Sequence, residues 1–120
     1  MLPRRNKQSL GQFGEDYATQ LLRRKGYRLV TRNFRCKLGE IDIVAVKDDY
    51  LAFIEVKTRY SVKYGSPIES ITPYKLNHIK KSAQYFSLIH PELPKKLKIE
   101  IIALELDDGK VSSEKIIKVE

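Results

Sequence analysis

The stretch that most constrains this chain is Gly39-Glu-Ile-Asp-Ile-Val-Ala-Val-Lys47, in which both alternating faces are apolar from Ile41 to Val46 except at Asp42. A strand apolar on both faces must be covered on both, so it belongs at the centre of a sheet with other elements packed above and below it. Asp42 interrupts that strand, and a buried carboxylate needs a proton, a partner or a cation. After a tight turn at Asp48-Asp49, the run Tyr50 to Thr58 returns antiparallel. Leu51, Phe53, Glu55 and Lys57 then point to one side, and Ala52, Ile54 and Val56 to the other. Counted from the turn, Asp42 lies across from Glu55 to Lys57, which makes them cross-strand neighbours.

The remaining elements arrange themselves around this pair of strands. Leu10, Phe13, Tyr17, Leu21 and Leu22 recur at helical spacing, with Ser9 as N-cap and Gly26 as stop. Gly14 projects from the apolar face of that helix, and Glu15 lies on its flank toward the sheet. Residues 27–34 alternate as a first strand. Thr72-Pro73 opens a second helix whose face carries Leu76, Ile79, Ala83 and Phe86, and Pro91 and Pro94 end it. A fourth strand covers 98–106, and 111–119 reads as a short edge strand. The order helix, three strands, helix, strand predicts an α/β fold with a mixed sheet, the second helix making a crossover between parallel third and fourth strands.

Two carboxylates brought together repel unless a proton or cation comes between them. A hard divalent cation such as magnesium, completed by water and substrate phosphate, is the natural solution. Lys57, on the same face as Glu55, can neutralise a scissile phosphate or orient an attacking water. The chemistry this implies is metal-assisted phosphodiester hydrolysis. The competing reading is an ordinary ion pair on a solvated face, and Leu51 and Phe53 on the same side favour the cation site. Glu40 shares the face of Asp42 two residues earlier and is a weaker ligand candidate. Lys75, at the start of the second helix, and Arg59, at the entry to a long loop at 59–71, are candidates for phosphate contact. His78 and His90 show no partner pattern and read as surface residues.

Asp42, twelve intervening residues and Glu55-Val-Lys57 resemble the motif of the PD-(D/E)xK nuclease superfamily. More narrowly, Gly14-Glu15 with Ala18, Gly26-Tyr27, Asn33-Phe34, Gly39-Glu-Ile-Asp42, Phe53 to Arg59, Gly65-Ser-Pro67 and Thr72 to Lys75 resemble the YraN family of functionally uncharacterised proteins. The resemblance implies a restriction-endonuclease-like core. It also implies Mg2+ or Mn2+ held by Asp42 and Glu55, a catalytic Lys57, and a helix-one glutamate at Glu15. Resolvase-like members act on branched DNA and cut paired strands as dimers, so structured or branched DNA and a homodimer are the analogous expectations. Relatives carry Asp where Glu100 stands in the fourth strand, and no exposed apolar stripe marks a dimer interface.

Bulk properties narrow the alternatives. At 120 residues and 42% hydrophobic content, the chain is read as one domain at 9–120 behind a mobile basic tail at 1–8. The net charge of +8 favours a polyanion, and the resemblance implies DNA before RNA. A single cysteine, Cys36, allows no intramolecular disulfide. No apolar run approaches the ~20 residues of a membrane span, so a cytoplasmic protein with no membrane partner is expected. Two other function classes remain: a non-catalytic nucleic-acid-binding module on the same scaffold, and an interaction protein whose basic surface meets an acidic partner.

Overall fold

The computed structural model describes residues 9–60 and 71–119. The expected basic tail and the middle of the expected loop at 59–71 lie outside the described residues. Helix α1 (Leu10–Arg24) starts where the Ser9 hydroxyl accepts the Gln12 N–H at 3.1 Å. Strands β1 (Arg28–Cys36), β2 (Gly39–Lys47) and β3 (Tyr50–Arg59) follow as an antiparallel meander. Helix α2 (Pro73–Ile89) is capped by the Thr72 hydroxyl, which accepts the Lys75 N–H at 3.0 Å, with Pro73 in its first turn. It leads to β4 (Lys96–Asp107) and β5 (Lys110–Lys118). Among the described residues no helix is long and apolar enough to cross a membrane.

The five strands form one sheet in sequence order, and β3 and β4 run parallel from Tyr50 opposite Lys96 to Arg59 opposite Glu105. The mixed sheet is therefore the expected one. The last strand is longer than a short edge piece, because Lys110 to Lys118 pairs with β4 along nearly its whole length. β5 and β1 are the two outer strands, and both carry exposed charge: Lys110, Glu114, Lys115 and Lys118 on one, Arg28 and Arg35 on the other.

The helices cover opposite faces of the sheet. Ala18, Leu21 and Leu22 of α1 pack on Ile43, Ala45, Ala52, Ile54, Ile102 and Leu104. Ala83 and Phe86 of α2 pack on Val44, Leu51 and Phe53, with Phe86 meeting Phe53 edge-on at 5.9 Å. Each fully buried large side chain contributes roughly 1.5–3 kcal/mol. With a layer on each side, β2 and β3 are buried through their apolar lengths, which is why their sequences lack the polar face of a half-exposed strand.

Two irregularities shape the end of the sheet where Asp42 lies. Asn33, inside β1, has φ +55°, a left-handed conformation that asparagine tolerates better than most residues. Arg32 and Phe34, two apart in one strand, would otherwise share a face. Instead Arg32 reaches the acids of α1, and Phe34 packs on Phe86 of α2 at 4.9 Å. The second irregularity is a fork. Pairing of β2 with β3 runs from Lys47 opposite Tyr50 to Ile43 opposite Ile54 and stops there. On either side, β1–β2 pairing continues to Gly39 and β3–β4 pairing to Arg59.

Helix α1 meets β3 closely beside this fork. A Cβ on Gly14 would stand 1.9 Å from Thr58 Oγ1 and 3.0 Å from Thr58 Cβ, so only a bare backbone fits. Gly14→Ala is expected to destabilise the protein by about 1–3 kcal/mol through overpacking. Adding Thr58→Ala should recover most of that loss in urea unfolding. Equal loss in the single and double variants would mean that Gly14 matters for another reason.

Candidate active site

The fork holds the carboxylates. Past Ile43, β2 no longer pairs with β3 through its backbone, and the Val56 N–H instead donates to Asp42 Oδ2 at 2.9 Å. The aspartate thus substitutes for a strand, satisfying a backbone donor that the parting of the sheet would leave orphaned. Extending the register by one step places Glu55 opposite Asp42. Glu55 is only 6% exposed, yet two ammonium groups reach its Oε2: Lys75 Nζ at 2.7 Å and Lys57 Nζ at 3.3 Å. Together with Glu40, His78 and Ile79, these carboxylates and Lys75 line a cleft of about 230 Å³. Larger depressions lie elsewhere on the surface, including one of about 430 Å³ beside α1 and β1.

The electrostatics of the cleft follow from burial. Burial raises the Asp42 carboxyl to about 7; the charge of Glu55 adds to the rise, as does that of Glu15, while the Val56 N–H and Lys75 oppose it. Lys75 moves up from its usual value, chiefly through its hydrogen bond to Glu55 and against the effect of its own burial. Two carboxylates therefore share a space that favours one proton or a compensating cation. Among the described residues no three or more His, Cys, Asp or Glu side chains converge into a complete metal cage. The donor set that is present, two carboxylates in an open cleft, fits a hard divalent cation that keeps water and phosphate oxygens in its shell.

The sequence-derived candidates are distributed as follows. Asp42, Glu55, Lys57 and Lys75 come together, and Glu40 lines the same cleft while pairing with Arg35 at 3.4 Å. Glu15 stands behind them, close enough to act on Asp42, and is held by Arg32 Nη2 at 3.5 Å; the same nitrogen binds Asp16 at 2.8 Å. Arg59 closes β3 opposite Glu105. Lys75 is bound to Glu55 rather than standing in solvent as a phosphate-only contact. His78 is not a bystander: it lines the cleft, and its Nδ1 lies 2.6 Å from the Leu38 carbonyl oxygen. That approach depends on Gly39 (φ +149°), where a Cβ would meet Ser82 Oγ at 3.0 Å and His78 Cβ at 3.4 Å. Its sequence signal was the Gly-Glu-Ile-Asp run, which marks a bare backbone beside the aspartate.

Glu100 lies on the other face of the sheet. It is fully buried, accepting hydrogen bonds from the hydroxyls of Tyr27 at 2.7 Å and Tyr50 at 3.1 Å, with Lys118 Nζ at 3.8 Å. Burial, with Tyr50 and Glu100 beside it, pushes the Tyr27 hydroxyl far above an ordinary phenol, so it remains a donor. This cluster is an internal polar knot under α1 and takes no part in the cleft.

The raised Asp42 group makes stability depend on pH. The folded state holds the proton more tightly than the unfolded chain, whose carboxyl has the ordinary value of 3.8. The resulting stabilisation is full below about pH 4 and is lost as pH rises through about 7. In metal-free buffer, the parent should lose on the order of 2 kcal/mol relative to Asp42→Asn between pH 5 and pH 8. Denaturant titrations at the two pH values measure this; parallel behaviour of the two proteins would contradict it.

A family model described as "Uncharacterised protein family UPF0102" matches residues 14–104. The chain is 42% identical over 101 residues to a UPF0102 protein of Syntrophomonas wolfei, covering 84% of this chain and 88% of that one. It is 44% identical over 112 residues to a UPF0102 protein of Caldicellulosiruptor bescii, covering 92% and 93%. A third, from Caldicellulosiruptor saccharolyticus, is 51% identical over 81 residues, covering 68% and 69%.

Proposed function

The chain belongs to the uncharacterised protein family UPF0102, and we propose that it is a metal-dependent nuclease that hydrolyses phosphodiester bonds in DNA, including structured or branched DNA. The observation that carries this reading is the pairing of Asp42 and Glu55 in the β2–β3 fork, with Lys57 and Lys75 on the Glu55 carboxylate. The restriction-endonuclease-like architecture and the net charge of +8 support it.

Asp42 and Glu55 would hold Mg2+ or Mn2+. When bound, the ion supplies positive charge to a phosphate oxygen and makes its water a better nucleophile. The protein's own groups do the rest. The Val56 N–H fixes the Asp42 carboxylate in the fork, where Asp42 lines the cleft. Lys57, 31% exposed and anchored on Glu55, offers an ammonium to the scissile phosphate and orients the attacking water. Lys75 offers a second positive charge from the helix side, and Arg59 extends the cationic surface beyond β3. Glu15, steadied by Arg32, adds negative charge that favours a bound cation.

Asp42→Ala and Glu55→Ala should each lower cleavage on the order of a hundredfold or more, an effect comparable with deleting a single charge-stabilising donor in other enzymes. Both should leave the fold and most DNA binding in place. The assay sets single-stranded, duplex and four-way-junction DNA and RNA against the protein with magnesium or manganese. An Asp42→Ala protein that cuts at the parent rate removes the proposal. A second reading, binding without cleavage, is favoured by the neutralisation of Glu55 by two lysines. It predicts affinity that falls steeply with salt and is indifferent to Asp42→Ala.

A further inference from the structure

Beyond the cleft, the surface continues into a depression that phosphodiester hydrolysis does not require. A groove of about 640 Å³ lies between the β1–β2 turn and the outer side of α2, lined by Phe34, Arg35, Lys37, Leu38, Tyr85 and Ile89. Leu38, Tyr85 and Ile89 are 38%, 42% and 47% exposed, an apolar strip that the periodicity of the buried face of α2 concealed in the sequence. Phe34 is fixed edge-on against the buried Phe86. The Tyr85 ring lies near Phe34, centroids 6.4 Å apart and planes inclined by 27°. Tyr85 is therefore backed by a rigid aromatic wall while part of its surface stays open.

The charge around this strip is mostly positive. Neither β1 nor α2 contains an acidic residue, while β1 contributes Arg35 and α2 contributes Lys81. Lys81, Tyr85 and Ile89 follow one another at four-residue spacing, so they form one stripe along the helix. Lys37 is exposed on the turn opposite. The groove lies beside the cleft. Glu40 lines the cleft and pairs with Arg35 of the groove, and His78 lines the cleft and contacts the Leu38 carbonyl. From His78 to Tyr85 the helix rises only ~10 Å.

An aromatic floor bordered by cations and adjacent to the Asp42–Glu55 cleft matches the chemistry of single-strand recognition, in which bases stack on rings and phosphates follow the positive groups. We propose that this groove holds an unpaired nucleobase of a single-stranded nucleic acid whose neighbouring phosphate lies in the Asp42–Glu55 cleft. The proposal rests on the nucleic-acid reading above and adds a substrate class to it. A base within a duplex is stacked on both sides and enters such a groove only by being extruded. An apolar protein partner would have to desolvate Arg35, Lys37 and Lys81, of which Arg35 is paired with Glu40.

The test is fluorescence anisotropy on the full chain in low salt with EDTA, using oligothymidylate, a duplex of the same length and an abasic strand of the same length. Oligothymidylate should bind more tightly than the duplex. Tyr85→Ala should weaken its binding about tenfold or more, Tyr85→Phe should bind as the parent does, and neither variant should change binding of the abasic strand. Circular dichroism checks that the variants fold. Unchanged oligothymidylate binding by Tyr85→Ala overturns the proposal, as does duplex binding as tight as single-strand binding. An equal loss on the abasic strand also overturns it, because the ring would not be reading a base. A dimer in sedimentation that Tyr85→Ala converts to monomer overturns it in favour of a second copy of the chain. The cleavage reading fails separately: base-dependent binding without any cleavage removes the nuclease and keeps the groove. Cleavage that needs Asp42, with binding indifferent to Tyr85, does the reverse.

Discussion

The hydrogen bond from the Val56 N–H to the Asp42 carboxylate is the interaction on which the cleft depends. A sheet cannot part in its interior without leaving backbone donors and acceptors unpaired, and an orphaned buried N–H is costly. Here a side chain takes the place of the missing strand bond. The parting gives Glu55 room to face outward from an otherwise buried strand, and it lets the start of α2 bring Lys75 to the opening. Burial and mutual repulsion then give the pair its appetite for a proton or a cation. The same bond that repairs the sheet thus fixes the position of the group that charges the cleft.

Much of this was legible in the sequence because it depends on local pattern. The two-faced apolar run at 41–46 announced a central strand, Ser9 and Thr72-Pro73 announced helix starts, and the turn at Asp48-Asp49 set the register that brings Asp42 opposite Glu55. Gly14 could be read as a close approach, although its partner, Thr58, could not. What stayed hidden depends on three-dimensional placement. The fork is a place where pairing ends, and no residue type marks an absent bond. Asn33 turns Arg32 and Phe34 to opposite faces, so alternation counted through it misassigns one of them. His78 has no sequence partner because it contacts a backbone carbonyl. The face of Glu100 is set by its parallel register with Ile54, which follows from a crossover whose exact offset the sequence does not encode.

The two faces of the sheet divide the polar work. Under α1, Glu100 takes its close hydrogen bonds from the hydroxyls of Tyr27 and Tyr50, which are buried with it, while the exposed Lys118 ammonium stands off at 3.8 Å. Toward α2, Glu55 is also buried, but its closest partners are ammonium groups that are themselves 31% and 45% exposed. A buried carboxylate is common to both. The difference lies in whether its closest partners are buried hydroxyls or ammonium groups that reach solvent.

The charged outer strands have a consequence for the behaviour of the protein in crowded solution. An exposed strand edge is a template on which another chain can add, and five-stranded sheets with bare edges are prone to grow into aggregates. Here β1 ends the sheet with Arg28 and Arg35, and β5 ends it with Lys110, Glu114, Lys115 and Lys118. Edge-to-edge addition between copies would bring these mostly positive rows together and strip them of water. The positive charge of the outer strands thus opposes edge-to-edge addition of one copy to another.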